Sequence, residues 1–283
     1  MNIREELNRA AERLARAGSS SPRLDAEILL TFFLNIERLE LYKAPERVLT
    51  EEDAAGFENL LERRCQGEPV AYIIGVKEFW SLLFKVNREV LIPRPETEIL
   101  VEEALQVVKD AAWTVPRILE IGVGSGAVTV ALAKELPEAM LTATDIAAGA
   151  LALARENARR HGVAECIDFR GGDLWMPVEG TFDLIVSNPP YIPAAEFSRL
   201  PRSVKDYEPR QALLAGAAGT AYHRAIIDGG VQHLKKGGWL LMELGEGQGA
   251  ELTEILRQAV VYENIALRSD YGGVERVVRA RKG

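Results

Sequence analysis

Asn188-Pro189-Pro190-Tyr191 places a carboxamide, two prolines and a phenol directly after an apolar run that begins at Phe182. Two successive prolines cannot extend a strand, since neither has an N–H to donate and each fixes φ. The residue before a proline is itself held extended, which keeps Asn188 at the C-terminal edge of the strand. In open α/β sheets that edge is where ligands bind. The Asn188 side-chain oxygen and the Pro189 carbonyl are therefore expected to face one point, with the Tyr191 ring beside them. Such a clamp suits a group with two N–H donors, a planar NH2. Asn-Pro and Pro-Pro pairs also mark ordinary turns, so a second constellation is needed to decide.

That constellation lies upstream. A strand-like run, Arg117-Ile118-Leu119-Glu120-Ile121, leads into Gly122-Val123-Gly124-Ser125-Gly126-Ala127, and a helical pattern follows through Val128, Leu132 and Leu136. Glycines let the backbone approach a ligand closely and adopt positive φ. The next strand ends in Asp145, 25 residues after Glu120, where a carboxylate can accept both hydroxyl protons of a ribose. Gly122-x-Gly124-x-x-Ala127 also satisfies the dinucleotide-binding fingerprint. Glu120 argues against that competitor, because a carboxylate there would receive an amino-acid ammonium and repel a pyrophosphate. The clamp at Asn188 has no role in hydride transfer either. Together the two features point to methyl transfer.

Composition removes other classes. The chain has 283 residues, 47% of them hydrophobic and 27% charged, with a net charge of −8. Residues 1–70 hold 10 Lys and Arg against 14 Asp and Glu, so no basic module for nucleic acid is hidden there. Cys65, Cys166, His161, His223 and His233 match no metal-ligand spacing, and no metal is expected. The N-terminus lacks an apolar signal core, and no apolar run approaches the ~20 residues of a membrane span. A cytoplasmic monomer free of the membrane is the expectation.

Periodicity then supplies the elements that must position these residues. Ile3, Leu7, Ala10 and Leu14 share one helical face; Ser21-Pro22 opens a second helix and Thr50 with Asp53 a third. Residues 1–72 thus read as a small helical domain, and 73–91 as a connecting hairpin with strands near 73–80 and 83–90. Residues 92–283 read as the methyl-transferring domain. It begins with Ile92-Pro93-Arg94-Pro95-Glu96-Thr97-Glu98 and a helix through Leu100 to Val108. Strands are expected near 117–121, 140–144, 166–170, 183–187 and 239–244, alternating with helices near 127–136, 147–161, 219–235 and 247–259. That alternation predicts a doubly wound, Rossmann-like parallel α/β sheet. A last pair, 264–269 and 274–280 around Asp270-Tyr271-Gly272-Gly273, predicts an antiparallel strand at its end.

With these residues assembled, the chain resembles the release-factor glutamine N5-methyltransferases, bacterial enzymes that use S-adenosylmethionine. The resemblance covers nearly the whole chain. It runs through Gly67-Glu68-Pro69-Val70-Ala71-Tyr72-Ile73, the Pro-Arg-Pro-Glu-Thr-Glu segment, the glycine turn, the Asn-Pro-Pro-Tyr tetrad and Tyr207-Glu208-Pro209. Glu120 stands where the family often has Asp, which leaves the charge in place. The resemblance implies that Glu120, Gly122, Val123, Gly124, Ser125 and Gly126 hold the methionine part and ribose of the cofactor. It implies that Asp145 and Ile146 flank the ribose, and that Asp173 accepts from the adenine amino group with Leu174 or Trp175 over the ring. Asn188, Pro189, Pro190 and Tyr191 would hold the target glutamine, in the Gly-Gly-Gln loop of a class I peptide-chain release factor, and Asn188 would border the cofactor as well. Asn188, Pro189 and Tyr191 would be the catalytic set, with S-adenosylhomocysteine as by-product. An adenine-N6 nucleic-acid methyltransferase shares the tetrad, but it needs clustered Lys and Arg for phosphates. A methyltransferase for a ribosomal-protein glutamine is the nearer alternative.

Overall fold

Capping side chains start the helices at the N-terminal end. In the computed structural model, which describes residues 1–283, Asn2 caps α1 (Ile3–Arg16) and Thr50 caps α4 (Glu51–Cys65). Both are reciprocal capping boxes, with Glu5 and Asp53 returning the bond, so each cap satisfies two backbone donors. Between them lie α2 (Pro22–Leu34) and α3 (Arg38–Lys43). Leu7, Leu14, Leu29, Leu30, Phe57 and Leu61 pack into one core. The short helix α5 (Val70–Ile74) corrects an expectation, since Ile73 is helical rather than the start of a strand. Gly75 closes α5 at φ 75°, a left-handed position that a glycine takes without a Cβ clash.

The hairpin is shorter than its apolar run suggests: β1 (Val76–Phe79) and β2 (Leu82–Lys85) meet at Trp80 and Ser81, both at positive φ. Two central residues in that region match the right-handed twist of the flanking strands. There follow α6 (Glu98–Asp110), β3 (Arg117–Ile121), α7 (Ala127–Glu135), β4 (Met140–Asp145), α8 (Ala148–Arg160), β5 (Ile167–Gly171) and β6 (Phe182–Ser187). The chain continues through α9 (Arg202–Lys205), α10 (Ala221–His233), β7 (Leu234–Glu243), α11 (Gly249–Gln258), β8 (Tyr262–Ser269) and β9 (Glu275–Lys282). Two compact units result: Met1–Val76 with Pro201–Tyr207, and Lys77–Leu200 with Glu208–Gly283. No helix is long and apolar enough to cross a membrane.

The second unit holds a seven-stranded sheet in the order β5-β4-β3-β6-β7-β9-β8. All pairings from β5 to β7 are parallel, and β9 runs antiparallel between β7 and β8. The expected antiparallel strand is therefore present. Alternate residues of one strand enter different cores, as the two-residue period of a strand dictates. Ile118, Leu184, Val186 and Leu241 pack with α6, α7 and α8, whereas Leu119, Ile185, Leu240 and Met242 pack with α10 and α11. Both faces are thus covered, and only the strand ends remain to host chemistry. Because β3 has β4 on one side and β6 on the other, the sheet's switch point falls between β3 and β6.

Candidate active site

Three strand ends converge at that switch point. Register pairs Ile121 with Thr144 on β4 and with Ser187 on β6, so Glu120, Asp145 and Asn188 come to one edge. The cleft there has about 1230 Å³ of open space, its solvent mouth included. Its walls include Glu120, Gly122, Val123, Gly124, Ser125, Asp145, Ile146, Asp173, Leu174, Asn188, Pro189 and Pro190. Two expected site residues are not on the walls, Gly126 and Tyr191.

The glycine turn explains the first exception. Gly122 and Gly124 have φ of 80° and 52°, and a Cβ at either would meet no atom within 4 Å, so both present bare backbone to the cleft. Gly126 has φ 84°, and its Cβ would lie 3.2 Å from the Ala154 Cα. Its glycine serves close packing on α8, not a ligand. The turn is pinned from β4: Gly122 and Val123 N–H groups donate to the Thr144 carbonyl at 2.9 and 2.8 Å. Gly124 N–H donates to Asp145 Oδ2 at 2.9 Å.

Charge in the cleft is negative and desolvated. Glu120 is 3% exposed; burial pushes its pKa up to about 8 despite the hydroxyl and N–H of Thr129, which both bond to it. Burial also raises Asp145, opposed by N–H bonds from Ala147, Gly124 and Ile146. Burial favours the neutral carboxyl, whereas an incoming cation favours the carboxylate, so a positively charged ligand would draw the proton off.

At the clamp, Asn188 Nδ2 donates to Thr97 Oγ1 at 3.1 Å. The side-chain oxygen takes no hydrogen bond from the protein, so it remains an acceptor at the cleft wall beside Pro189. Tyr191 corrects the second expectation. Its ring packs behind the clamp on Gly245, where a Cβ would lie 3.0 Å from the ring, and its carbonyl accepts from Gln248 Nε2 at 3.0 Å. Burial, with the nearby Glu243, drives its hydroxyl pKa well above the ordinary value. It cannot act as a base near neutral pH.

Leu174, at φ 45°, lines the cleft. Trp175 turns away, donating to the Ala225 carbonyl at 2.8 Å and stacking on His233. Arg94 lines the cleft and pairs with Glu208, which also accepts from Ile92 N–H at 3.1 Å. Thr97, Thr129 and Glu243 escaped the sequence reading. For Glu243 a signal existed: an acid closing the apolar run Trp239-Leu240-Leu241-Met242 sits at a strand end, as Glu120 and Asp145 do. Thr129 acts through a fold-dependent neighbour and carries no local signal, while Thr97 lies inside the Pro-Arg-Pro-Glu-Thr-Glu segment, which marks the position without naming its partner.

A glycine turn on the middle strand, carboxylates on the adjoining strand ends and an antiparallel strand inserted before the edge define a Rossmann-like methyltransferase. The fold is shared with a methyltransferase from Pyrococcus furiosus (20% identity, TM-score 0.52, over 80% of this chain and 99% of that one). It is shared too with the hMettl16 catalytic domain solved with a MAT2A 3'UTR hairpin (17% identity, TM-score 0.57, 83% and 84%). Residues 5–75 match the PrmC N-terminal domain model, and residues 97–199 the methyltransferase small domain model. Release factor glutamine methyltransferases of Vibrio cholerae and Geobacter sulfurreducens are 43% and 42% identical, covering 98% and 99% of this chain and 96% and 97% of their own. The one from Koribacter versatilis is 40% identical over 100% of this chain and 99% of its own. The chain belongs to the release factor glutamine methyltransferase family.

Proposed function

We propose that this protein transfers a methyl group from S-adenosylmethionine to the side-chain nitrogen of the Gly-Gly-Gln glutamine in class I release factors. The observation that carries the reading is the free Asn188 oxygen beside Pro189, held at the same cleft as a buried, cation-seeking Glu120. The donor set fits the cofactor: Glu120 for its ammonium, bare backbone at Gly122 and Gly124 along its chain, Asp145 for the ribose diol, Asp173 and Leu174 for the adenine. When bound, that cofactor supplies an electrophilic methyl on a positively charged sulfur.

The residues then have a mainly geometric task. An amide nitrogen is a poor nucleophile because its lone pair is delocalised. Asn188 Oδ1 and the Pro189 carbonyl accept its two N–H groups, aim the nitrogen along the line of attack and favour the positive charge that develops on it. No proton need be removed beforehand, since an N-methylated amide cation is strongly acidic and loses its proton afterwards. The raised Tyr191 hydroxyl agrees with a site that has no base. S-adenosylhomocysteine is the by-product, and the helical residues of the first unit serve recognition of the release factor. A cytoplasmic monomer accords with a protein substrate of translation.

Incubation with methyl-labelled cofactor and a purified class I release factor, followed by mass spectrometric mapping, tests the reading. Label on the Gly-Gly-Gln glutamine is expected. Label on a ribosomal-protein glutamine or on an adenine of plasmid DNA instead would overturn it.

A further inference from the structure

We propose that Thr97 and Glu243 are positioning residues that fix which way the Asn188 carboxamide faces. The proposal rests on the glutamine-methylation reading above and deepens it. The two ends of a carboxamide are nearly equal in shape, so hydrogen bonds alone decide its orientation. Flipped, Asn188 would present its NH2 to the NH2 of the target and oppose donor with donor.

The structure holds the productive orientation from behind. Asn188 Nδ2 lies 3.1 Å from Thr97 Oγ1. A threonine hydroxyl carries one hydrogen, and it accepts cleanly from Asn188 only if that hydrogen is committed elsewhere. The Glu243 carboxylate, whose pKa the adjacent Thr97 hydroxyl lowers, is the acceptor placed to take it. Asn188 thus donates to Thr97, which donates to Glu243. Thr97 is 5% and Glu243 2% exposed, so water does not compete for these bonds. Glu243 Oε2 has no hydrogen-bond partner. A carboxylate buried at such cost is accounted for by its use as an obligatory acceptor.

Protonation of Glu243 would release the device. Burial pushes its pKa to about 7; the Thr97 hydroxyl, Arg276 and Arg94 pull it down while Glu96 pushes it up. Tyr191 also faces it, and His223 Nε2 lies 2.8 Å from its backbone carbonyl. Once protonated, the carboxyl is a weaker acceptor and can also donate to Thr97, which frees the Thr97 hydrogen to turn toward Asn188 and favour the flipped amide.

The test uses the full chain with Thr97→Val, Thr97→Ser and Glu243→Gln. Cofactor binding is followed by calorimetry, and kcat and KM for a release factor are measured from pH 6 to 9. T97V is expected to lower kcat on the order of 100-fold with cofactor affinity and release-factor KM near wild type, and T97S to restore kcat. Wild-type kcat should fall as pH drops below about 7, while E243Q, which cannot titrate, should lose that limb of the profile. Wild-type kcat in T97V, no rescue by T97S, or a wild-type pH profile in E243Q would overturn the proposal. Loss of cofactor binding in T97V would overturn it as well, by making Thr97 a packing residue. Should the unmodified chain methylate an adenine oligonucleotide and no release factor, the functional reading falls, and the same variants measured on that amine still decide the orientation device.

Discussion

Glu120 should make cofactor binding release a proton. Its carboxyl is buried, with a pKa of about 8, so the free protein at pH 7 holds it mostly protonated. The ammonium of S-adenosylmethionine pairs with the carboxylate form only. Each pH unit below that value therefore costs about 1.4 kcal/mol of apparent affinity, a factor of roughly ten. The sign follows: Kd should tighten about tenfold from pH 6 to 7 and about fivefold from 7 to 8, then level off. Close to one proton, roughly 0.9, should be released per cofactor bound at pH 7. Calorimetry in two buffers of different ionisation enthalpy reads that proton directly. Glu120→Gln should abolish both the release and the slope, and bind more weakly at pH 8 for want of a charge pair, by about 1.5–3 kcal/mol. A Kd that is flat between pH 6 and 8, with enthalpies independent of buffer, would refute the reasoning.

Further outcomes follow from the same geometry. Asn188→Ala should abolish methyl transfer while calorimetric cofactor affinity stays near wild type, because its oxygen faces the target rather than the cofactor. Asp145→Ala should weaken the cofactor on the order of 100-fold by equilibrium binding, since it removes the ribose acceptor and unpairs the Gly124 and Ala147 N–H groups. Gly126→Ala should lower stability by about 1–2 kcal/mol in denaturant unfolding, from positive φ together with the Ala154 contact. Without cofactor, the wild type should lose thermal stability as pH rises from about 4.5 toward about 8, because folding holds Glu120 protonated. E120Q should show a shallower slope in melting scans, the remainder coming from Glu243 and Asp145, which burial also raises.

Much of this was readable in the sequence, for definable reasons. Strands buried on both faces give unbroken apolar runs, and the polar residues that end them, Glu120, Asp145 and Asn188, announce the ligand edge. The turn residues at 270–273 gave away the antiparallel pair. Ile73 misled because a five-residue apolar stretch has no period of its own, and the left-handed Gly75 ends a helix as readily as it opens a hairpin. Gly126 sat within a ligand motif although α8, which the turn itself does not specify, is what requires it. Tyr191 was expected in the cleft from its neighbours in the chain, but Gly245, in the loop that follows β7, leaves a hollow that takes the ring. Thr97 meets Asn188 across a separation of 91 residues and Glu243 neighbours Thr97 across 146, distances over which only the fold brings side chains together.

The two margins of the sheet, β5 and β8, share a property with consequences for assembly. On β5, Asp168 and Arg170 pair at 2.7 Å, while β8 is interrupted twice in its register and turns to φ 52° at Asn264. Charge and bulges of this kind blunt a strand as a template for another chain. A visiting polypeptide finds no rail along which to zip its backbone. Whatever protein docks must be gripped by side chains and loops, leaving a flexible segment free to extend one residue inward.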